Sequence, residues 1–279
     1  MKILESLKDW QCERREFDIS GTRTKQNTIG FIPTMGALHN GHLSLVEQAR
    51  RENNVVVASI FVNPTQFNNA EDLIKYPRDI ARDIEFLHGH NVDYLLLPSE
   101  SEMYEDQYRF RLSECEESKI LCGAFRPGHF DGVLTVVMKL LNLVRANRCY
   151  MGEKDFQQMR LIKRMASTFF IETEIVACPI VRESSGLAMS SRNERLSAIG
   201  RVYASKLFET LKTADSSAIA LRELSRLGFQ VEYVEEHWGR RLAAVWFEGV
   251  RLIDNVSIHV SPTNNFEQGA ATTTLGATP

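Results

Sequence analysis

From about residue 28 to residue 181, apolar stretches of strand length alternate with amphipathic stretches of helix length. This alternation constrains the fold more than any other feature. NTIGFIPTM reads as a buried strand, and GHLSLVEQARRE follows with apolar residues at helical spacing, Leu43, Val46 and Ala49. VVVASIFV is apolar throughout, as a strand covered on both faces requires. DIARDIEFLHGH reads as a helix, VDYLLLPS as a strand and GVLTVVMKLLNLV as a helix apolar on most of its surface. RCYMG, EKDFQQMRLIKRMASTFF and TEIVACPIV continue the series as strand, helix and strand. Strands and helices in this order predict an α/β fold with a Rossmann-like parallel sheet. A site is expected at the carboxyl ends of its strands.

Beyond residue 180 the pattern changes. VRESSGLAMSSRNERLS is a polar loop, and helices are expected near Val202–Leu211 and Ile219–Leu227. FQVEYVEE and RRLAAVWFEGVRLIDNVSI then read as strands joined by a turn. The expected division is a Rossmann-like domain over 1–180 and a smaller α+β C-terminal lid domain over 181–279. The tail from about residue 261 is poor in large apolar residues and is expected to be flexible.

A net charge of −3 gives no basic excess for a nucleic acid. The five cysteines form no C-x-x-C pair, which fits reduced thiols in a cytoplasmic protein. The longest strongly apolar run has 8 residues, against about 20 for a membrane helix.

The loop after the first of these strands carries His39-Asn40-Gly41-His42. A metal pair lacks further clustered ligands. A hairpin at Asn40-Gly41 is contradicted by the helical period that follows. A phosphate cradle at a helix start fits, with free N–H groups and two imidazoles facing a crevice. From H-x-G-H alone, that reading and a pair of surface histidines weigh about equally.

Four further loops carry chemistry. FVNPTQF offers Gln66, whose amide can give and receive hydrogen bonds. CGAFRPGHFDGV, with Arg126 and His129, is a gate or a turn before the long helix. GEKDFQQ sets Lys154 at a helix start, where it opposes the helix dipole and so points to an anion. Asp155 is expected to cap that helix. LAMSSRN brings Ser190, Ser191 and Arg192 together as a clamp for a triphosphate.

GFIPTMGALHNGH, SIFVNPTQF, KYPRD, VDYLLLPS, MYE, CGAFRPGHFDGVLTVVMKLLNLV, MGEKDFQQ, VRESSGLAMSSRN and VRLIDN, in this order, resemble the pantoate–β-alanine ligase family of the H-x-G-H nucleotidyltransferases. They span Gly30 to Asn255, and together they are very specific. The resemblance implies ATP-dependent condensation of (R)-pantoate with β-alanine through a pantoyl adenylate, with Mg²⁺ accompanying ATP, in a homodimer. By the same resemblance, His42, His39, Lys154, Ser190, Ser191 and Arg192 carry the chemistry, His42 as proton donor. ATP would contact Met35, Gly36, Ala37, Leu38, His39, Asn40, Gly41, His42, Gly152, Glu153, Lys154, Asp155, Val181, Met189, Ser190, Ser191 and Arg192. Pantoate would lie against Gln66 and Gln158, with Asn63 and Tyr76 weaker candidates, and β-alanine against Gln66. No resident metal site is expected. The chain departs from the family pattern at Ser185 (usually Asp), Ala146 (usually Pro) and Met151 (usually aromatic).

Overall fold

The computed structural model describes residues 1–19 and 28–258. Six strands form one parallel sheet: β1 (Lys2–Leu4), β2 (Ile29–Thr34), β3 (Val55–Ile60), β4 (Tyr94–Leu96), β5 (Arg148–Gly152) and β6 (Glu174–Cys178). Their order is β1-β4-β3-β2-β5-β6, with every neighbouring pair parallel. Helices α1 (Leu7–Ile19), α2 (Asn40–Glu52), α3 (Ala70–Ile74), α4 (Ile80–Gly89), α5 (Glu100–Met103), α6 (Cys122–Phe125), α7 (His129–Val144) and α8 (Phe156–Thr168) connect them.

Strand β3 shows why its sequence is apolar nearly throughout. Val57 packs into a core shared with α7 and α8, whereas Val56, Ala58 and Ile60 pack on the opposite face against residues of α2 and α4. Both faces are covered, so both parities of the strand are apolar but for Ser59, whose buried hydroxyl has no hydrogen-bond partner among the described residues.

The polar start of the chain carries strand β1 and helix α1, which the sequence pattern did not reveal. Helix α1 is anchored by Trp10, fully buried, whose indole N–H donates to the Leu143 carbonyl at 2.9 Å. Burying a side chain of that size contributes about 2–3 kcal/mol, enough to dock an otherwise polar helix.

The remainder holds α9 (Ala198–Tyr203), α10 (Lys206–Thr213), α11 (Ser217–Arg226) and an antiparallel sheet of β7 (Gln230–His237), β8 (Arg240–Phe247) and β9 (Val250–Ser257). The single helix expected near Val202–Leu211 is two, broken at Ala204 and Ser205. The second expected strand is itself a hairpin. Its turn at Glu248-Gly249 has φ values of 49° and 72°, matching the Trp238-Gly239 turn at 54° and 73°. Two successive left-handed residues suit the right-handed twist of paired strands.

Strand β8 is buried on both sides. Leu242 and Ala244 join the core of the large sheet, while Ala243 and Val245 join a separate core with α10 and α11. No described helix is long and apolar enough to cross a membrane. The tail from about residue 261 lies outside the described residues.

Candidate active site

The strand order reverses between β2 and β5, which makes the crevice above them the natural site in an open α/β sheet. These strands pair only at Gly30–Arg148 and Phe31–Cys149. Beyond that register they part, and a cavity of about 240 Å³ opens.

The turn out of β2 is held from outside. Gly36 and Ala37 have φ values of 79° and 51°, a left-handed pair that costs energy at the alanine. The Asp83 carboxylate of α4 receives the N–H groups of Ala37 and Leu38, each at 2.8 Å. A side chain at Gly36 would lie 2.8 Å from that same carboxylate. These two backbone donors are therefore committed to Asp83, and Gly36, Ala37 and Leu38 do not line the cavity.

His39 is the N-cap of α2, a role usually taken by a small polar side chain. Its Nδ1 accepts the Gly41 N–H at 3.1 Å, and His42 Nδ1 accepts the His39 N–H at 3.3 Å. Both Nδ1 atoms are acceptors, so each ring carries its proton on Nε2. Burial pushes His39 down to about 4, helped by the Lys154 charge. Burial pushes His42 down to about 3, helped by His39 and Lys154. The site thus presents two neutral Nε2–H donors rather than the positive charge that an imidazolium would bring. Their ring centroids are 4.2 Å apart. Gly41 has no side chain because a Cβ would sit 2.8 Å from the His39 ring.

Asn63, Gln66 and Tyr76 line the cavity after β3, with Gln158 across from them on α8. Asn63 is saturated: it donates to Gln66 Oε1 (3.0 Å) and the Gly132 carbonyl (3.1 Å), and accepts from Tyr104 (2.7 Å) and Thr65 (3.0 Å). Its visible role is to orient Gln66, whose Nε2 meets only the weak acceptor Met35 Sδ, at 3.0 Å. The Gln66 carbonyl is fixed by Arg126 (3.1 Å) and by His129 Nδ1 (2.8 Å). Burial and the Arg126 charge push His129 down to about 3. The adjacent glutamines of α8 divide their work. Gln157 ties down the 117–122 loop through Glu117, Ile120 and Cys122, whereas the Gln158 amide has no partner among the described residues.

Lys154 lies in a 3-10 turn, Glu153–Asp155, with Asp155 Oδ2 3.7 Å from its Nζ. Asp155 occupies the N-cap position of α8, but its side chain makes no capping bond, contrary to expectation; it lines the cavity instead. Glu153 faces away and pairs with Arg240 at 2.8 Å. Ser190 caps a 3-10 turn, Ser191–Arg195, by accepting the Arg192 N–H at 3.3 Å. Ser191 Oγ is 3.4 Å from the Tyr76 hydroxyl. Arg192 and Arg195 share Asp72, at 2.9 and 3.1 Å. Burial would raise the Asp72 carboxyl, yet these arginines hold it below its ordinary value.

The structure gathers Met35, His39, Gly41, His42, Asn63, Gln66, Gly152, Lys154, Asp155, Gln158, Val181, Met189, Ser190, Ser191 and Arg192 around one cavity. Gly36, Ala37, Leu38, Asn40 and Glu153 are adjacent but outside its lining. Sequence reasoning missed the apolar wall of Val133, Val136, Val137 and Leu140 on α7. It also missed Asp83, for which an aspartate on the buried face of an amphipathic helix was the available signal. The departures from the expected pattern are benign in place. Ser185 Oγ accepts the Leu187 N–H at 3.4 Å, Ala146 is buried and its carbonyl accepts from Thr173, and Met151 is part of the cavity wall.

Fold and site together define an α/β enzyme of the H-x-G-H type, built around a helix N-terminus at the switch point of a parallel sheet. The model of the pantoate-beta-alanine ligase family matches residues 2–257. A pantothenate synthetase of Bdellovibrio bacteriovorus is 49% identical over 257 residues, covering 92% of this chain and 99% of the relative. One of Legionella pneumophila is 46% identical over 255 residues, covering 91% and 99%. A crystal structure of the pantoate-beta-alanine ligase of Francisella tularensis, complexed with β-γ ATP and β-alanine, superposes with a TM-score of 0.84. It is 42% identical, covering 94% of this chain and all of that one. The Thermus thermophilus pantothenate synthetase structure gives 0.80 at 38% identity, covering 92% and 99%. The chain belongs to the pantoate-beta-alanine ligase family, and it is a ligase that forms pantothenate.

Proposed function

We propose that this site joins (R)-pantoate to β-alanine in two steps, with ATP as the activating substrate. A pantoate carboxylate oxygen forms a bond to the α-phosphorus of ATP. The bond from that phosphorus to the bridging oxygen breaks, and pyrophosphate leaves with the electron pair. The β-alanine amine then forms a bond to the acyl carbon of the pantoyl adenylate, the bond from that carbon to the phosphate oxygen breaks, AMP leaves with the electron pair, and the amine nitrogen gives up a proton to solvent, leaving pantothenate. The observation that carries this reading is the convergence of two sets of groups on one cavity: the His39, His42, Lys154 and Ser190–Arg192 donors, and the Gln66 and Gln158 amides.

Each residue type suits its task. The neutral His42 Nε2–H hydrogen-bonds a phosphate oxygen as charge moves onto the leaving group, with His39 beside it. Lys154, Ser190, Ser191 and Arg192 bind the β and γ phosphates. Met35, Gly41, Gly152, Val181 and Met189 pack around the nucleotide, and Gly36–Leu38 shape the turn rather than touch it. Gln66 and Gln158 hold the pantoate hydroxyls, with Asn63 setting the Gln66 amide. Gln66 also lies near the β-alanine amine. The α7 wall of Val133, Val136, Val137 and Leu140 accommodates the pantoate methyl groups and keeps water from the adenylate.

Mg²⁺ enters with ATP, held by phosphate oxygens. No cluster of three or more His, Cys, Asp or Glu side chains exists among the described residues to form a cage. Asp155, facing the cavity beside Lys154, fits a phosphate-held ion that takes one protein carboxylate. The ion would neutralise charge on the departing pyrophosphate. We assign residues 1–180 to substrate binding and 181–279 to a lid, in a cytoplasmic homodimer; sedimentation at the mass of two chains tests the dimer.

The deciding experiment is incubation with ATP, Mg²⁺, (R)-pantoate and β-alanine. AMP formation should depend on pantoate, and pantothenate should appear only when β-alanine is added. AMP release indifferent to pantoate would overturn the reading.

A further inference from the structure

A second cavity, of about 280 Å³, adjoins the first and shares Lys154, Asp155, Ser190 and Arg192 with it. It lies between α3, the residues before α7 and the strands β7 to β9. Its walls carry Lys75, Arg126, Lys154, Arg192, Arg195 and Arg251.

The cations are incompletely balanced. Lys75 pairs with Glu71 at 3.2 Å, and Arg251 with Glu232 at 2.7 Å. Arg192 and Arg195 share the single carboxylate of Asp72. Arg126 makes no ion pair among the described residues. Its guanidinium reaches only the Gln66 carbonyl and the His129 Nε2 atom, both neutral. Burial and the charges of Arg251 and Arg192 push Arg126 down to about 10, the sign of a cation held among cations. Glu71, Asp72, Asp155 and Glu232 also line this cavity, but each pairs with another cation, and Asp72 only partly offsets the neighbours of Arg126. A partly buried guanidinium with no carboxylate in ion-pair contact is stabilised by a multivalent anion, which it can bind through paired N–H donors.

We propose that this second cavity is a holding site for inorganic pyrophosphate as it leaves the nucleotide pocket. The inference rests on the two-step reading above, in which pyrophosphate is released before the amine reacts. The shared residues Lys154, Ser190 and Arg192 form the boundary between the cavities, so a β,γ-diphosphate held there moves outward towards Arg126 without leaving cationic surroundings. Departure in that direction also separates the product from the adenylate and opposes the reverse reaction.

The test is calorimetric titration of inorganic pyrophosphate into the full chain saturated with AMP and pantoate. Two variants probe its lining. Arg126→Gln removes the unpaired cation. Asn69→Asp adds a negative charge at the cavity wall while keeping the α3 cap, since Asn69 Oδ1 accepts the Glu71 N–H at 2.8 Å and an aspartate oxygen does the same. Pyrophosphate affinity should fall about tenfold or more in Arg126→Gln, the scale of a lost charge-assisted bond, and several-fold in Asn69→Asp. AMP affinity should stay within about twofold in both, because the nucleoside side of the pocket is untouched. Unchanged pyrophosphate affinity in both variants overturns the proposal, as does a loss of AMP and pyrophosphate affinity in step. A raised KM for β-alanine with unchanged pyrophosphate affinity also overturns it, by assigning the cluster to the amine substrate's carboxylate. Pantoate-dependent AMP formation by the unaltered chain is measured separately. Its failure would sink the two-step reading, whereas its success beside unchanged pyrophosphate affinity sinks the holding site alone.

Discussion

The side-chain amide of Asn255 donates to the carbonyl oxygens of Glu153 at 2.9 Å and Lys154 at 3.1 Å. A strand of the small sheet thereby fixes the turn that carries the site's lysine. The preceding residue, Asp254, binds Arg182 through both oxygens, at 2.6 and 2.9 Å. Arg182 lies at the base of the 182–188 turn, through the isolated pairing of Arg182 with Ala188, and its guanidinium stacks 3.6 Å from the Phe208 ring centroid. Two adjacent residues of β9 thus hold the turn that carries Lys154 and the turn that precedes Ser190–Arg192, all of which line the cavity.

Asn255→Ala should therefore impair catalysis more than folding. The variant loses these two neutral hydrogen bonds and a third that Asn255 Oδ1 accepts from the Arg240 guanidinium, about 3–4 kcal/mol together, a loss visible as a lower denaturation midpoint. Displacement of Lys154 should lower kcat by about tenfold or more, because a small misplacement of a catalytic group is costly. A melting shift with unchanged kcat would show that the turn keeps its position without Asn255.

Asp83→Ala should release the turn after β2. The variant loses a carboxylate that satisfies two backbone N–H groups at a left-handed pair, a cost of about 2–3 kcal/mol. Activity should fall along with stability, since His39 follows directly. Asp83→Asn keeps one acceptor and should recover part of both. If kcat in Asp83→Ala matches the unaltered chain, the carboxylate does not position the histidines.

Much of the large sheet was legible because most positions of its strands are apolar and its helices carry a clear period. Strand β1 and helix α1 were hidden, because a three-residue edge strand and a helix docked mainly by Trp10 leave little periodic signal. The site motifs were legible as strings. Their division of labour was not, because it depends on partners distant in sequence. Leu38 belongs to the H-x-G-H loop, yet its N–H serves Asp83, 45 residues away. Glu153 belongs to GEKD, yet its carboxylate serves Arg240, 87 residues away.

Gln158, proposed above to hold pantoate, should respond differently from Asn63. Gln158→Ala removes an unpartnered amide, so the KM for pantoate should rise about tenfold with little change in the melting temperature. Asn63→Ala removes the four hydrogen bonds that centre on Asn63, and with the Tyr104 and Thr65 hydroxyls still paired to each other at 3.2 Å, stability should fall by about 2–3 kcal/mol. A stable Asn63→Ala with altered pantoate affinity would instead make Asn63 a direct ligand.

The histidine pair separates capping from chemistry. In His42→Asn the side-chain oxygen replaces Nδ1 as acceptor for the His39 N–H, so the helix start should survive. The Nε2–H donor is lost, so kcat should fall about a hundredfold, the scale of one transition-state donor. The pair also governs acid stability. Folded His42 titrates at about 3 and His39 at about 4, against an ordinary value near 6.5. Between those values the unfolded chain binds more protons than the folded one, so the stability these rings contribute is complete above pH 6.5. It declines as the pH falls through 6.5 towards 3. His42→Asn should flatten that decline, read as the denaturation midpoint between pH 7 and pH 4. An equally steep decline in the variant would mean that His42 is already protonated in the folded chain near pH 6, and that the neutral donor is the wrong description of it.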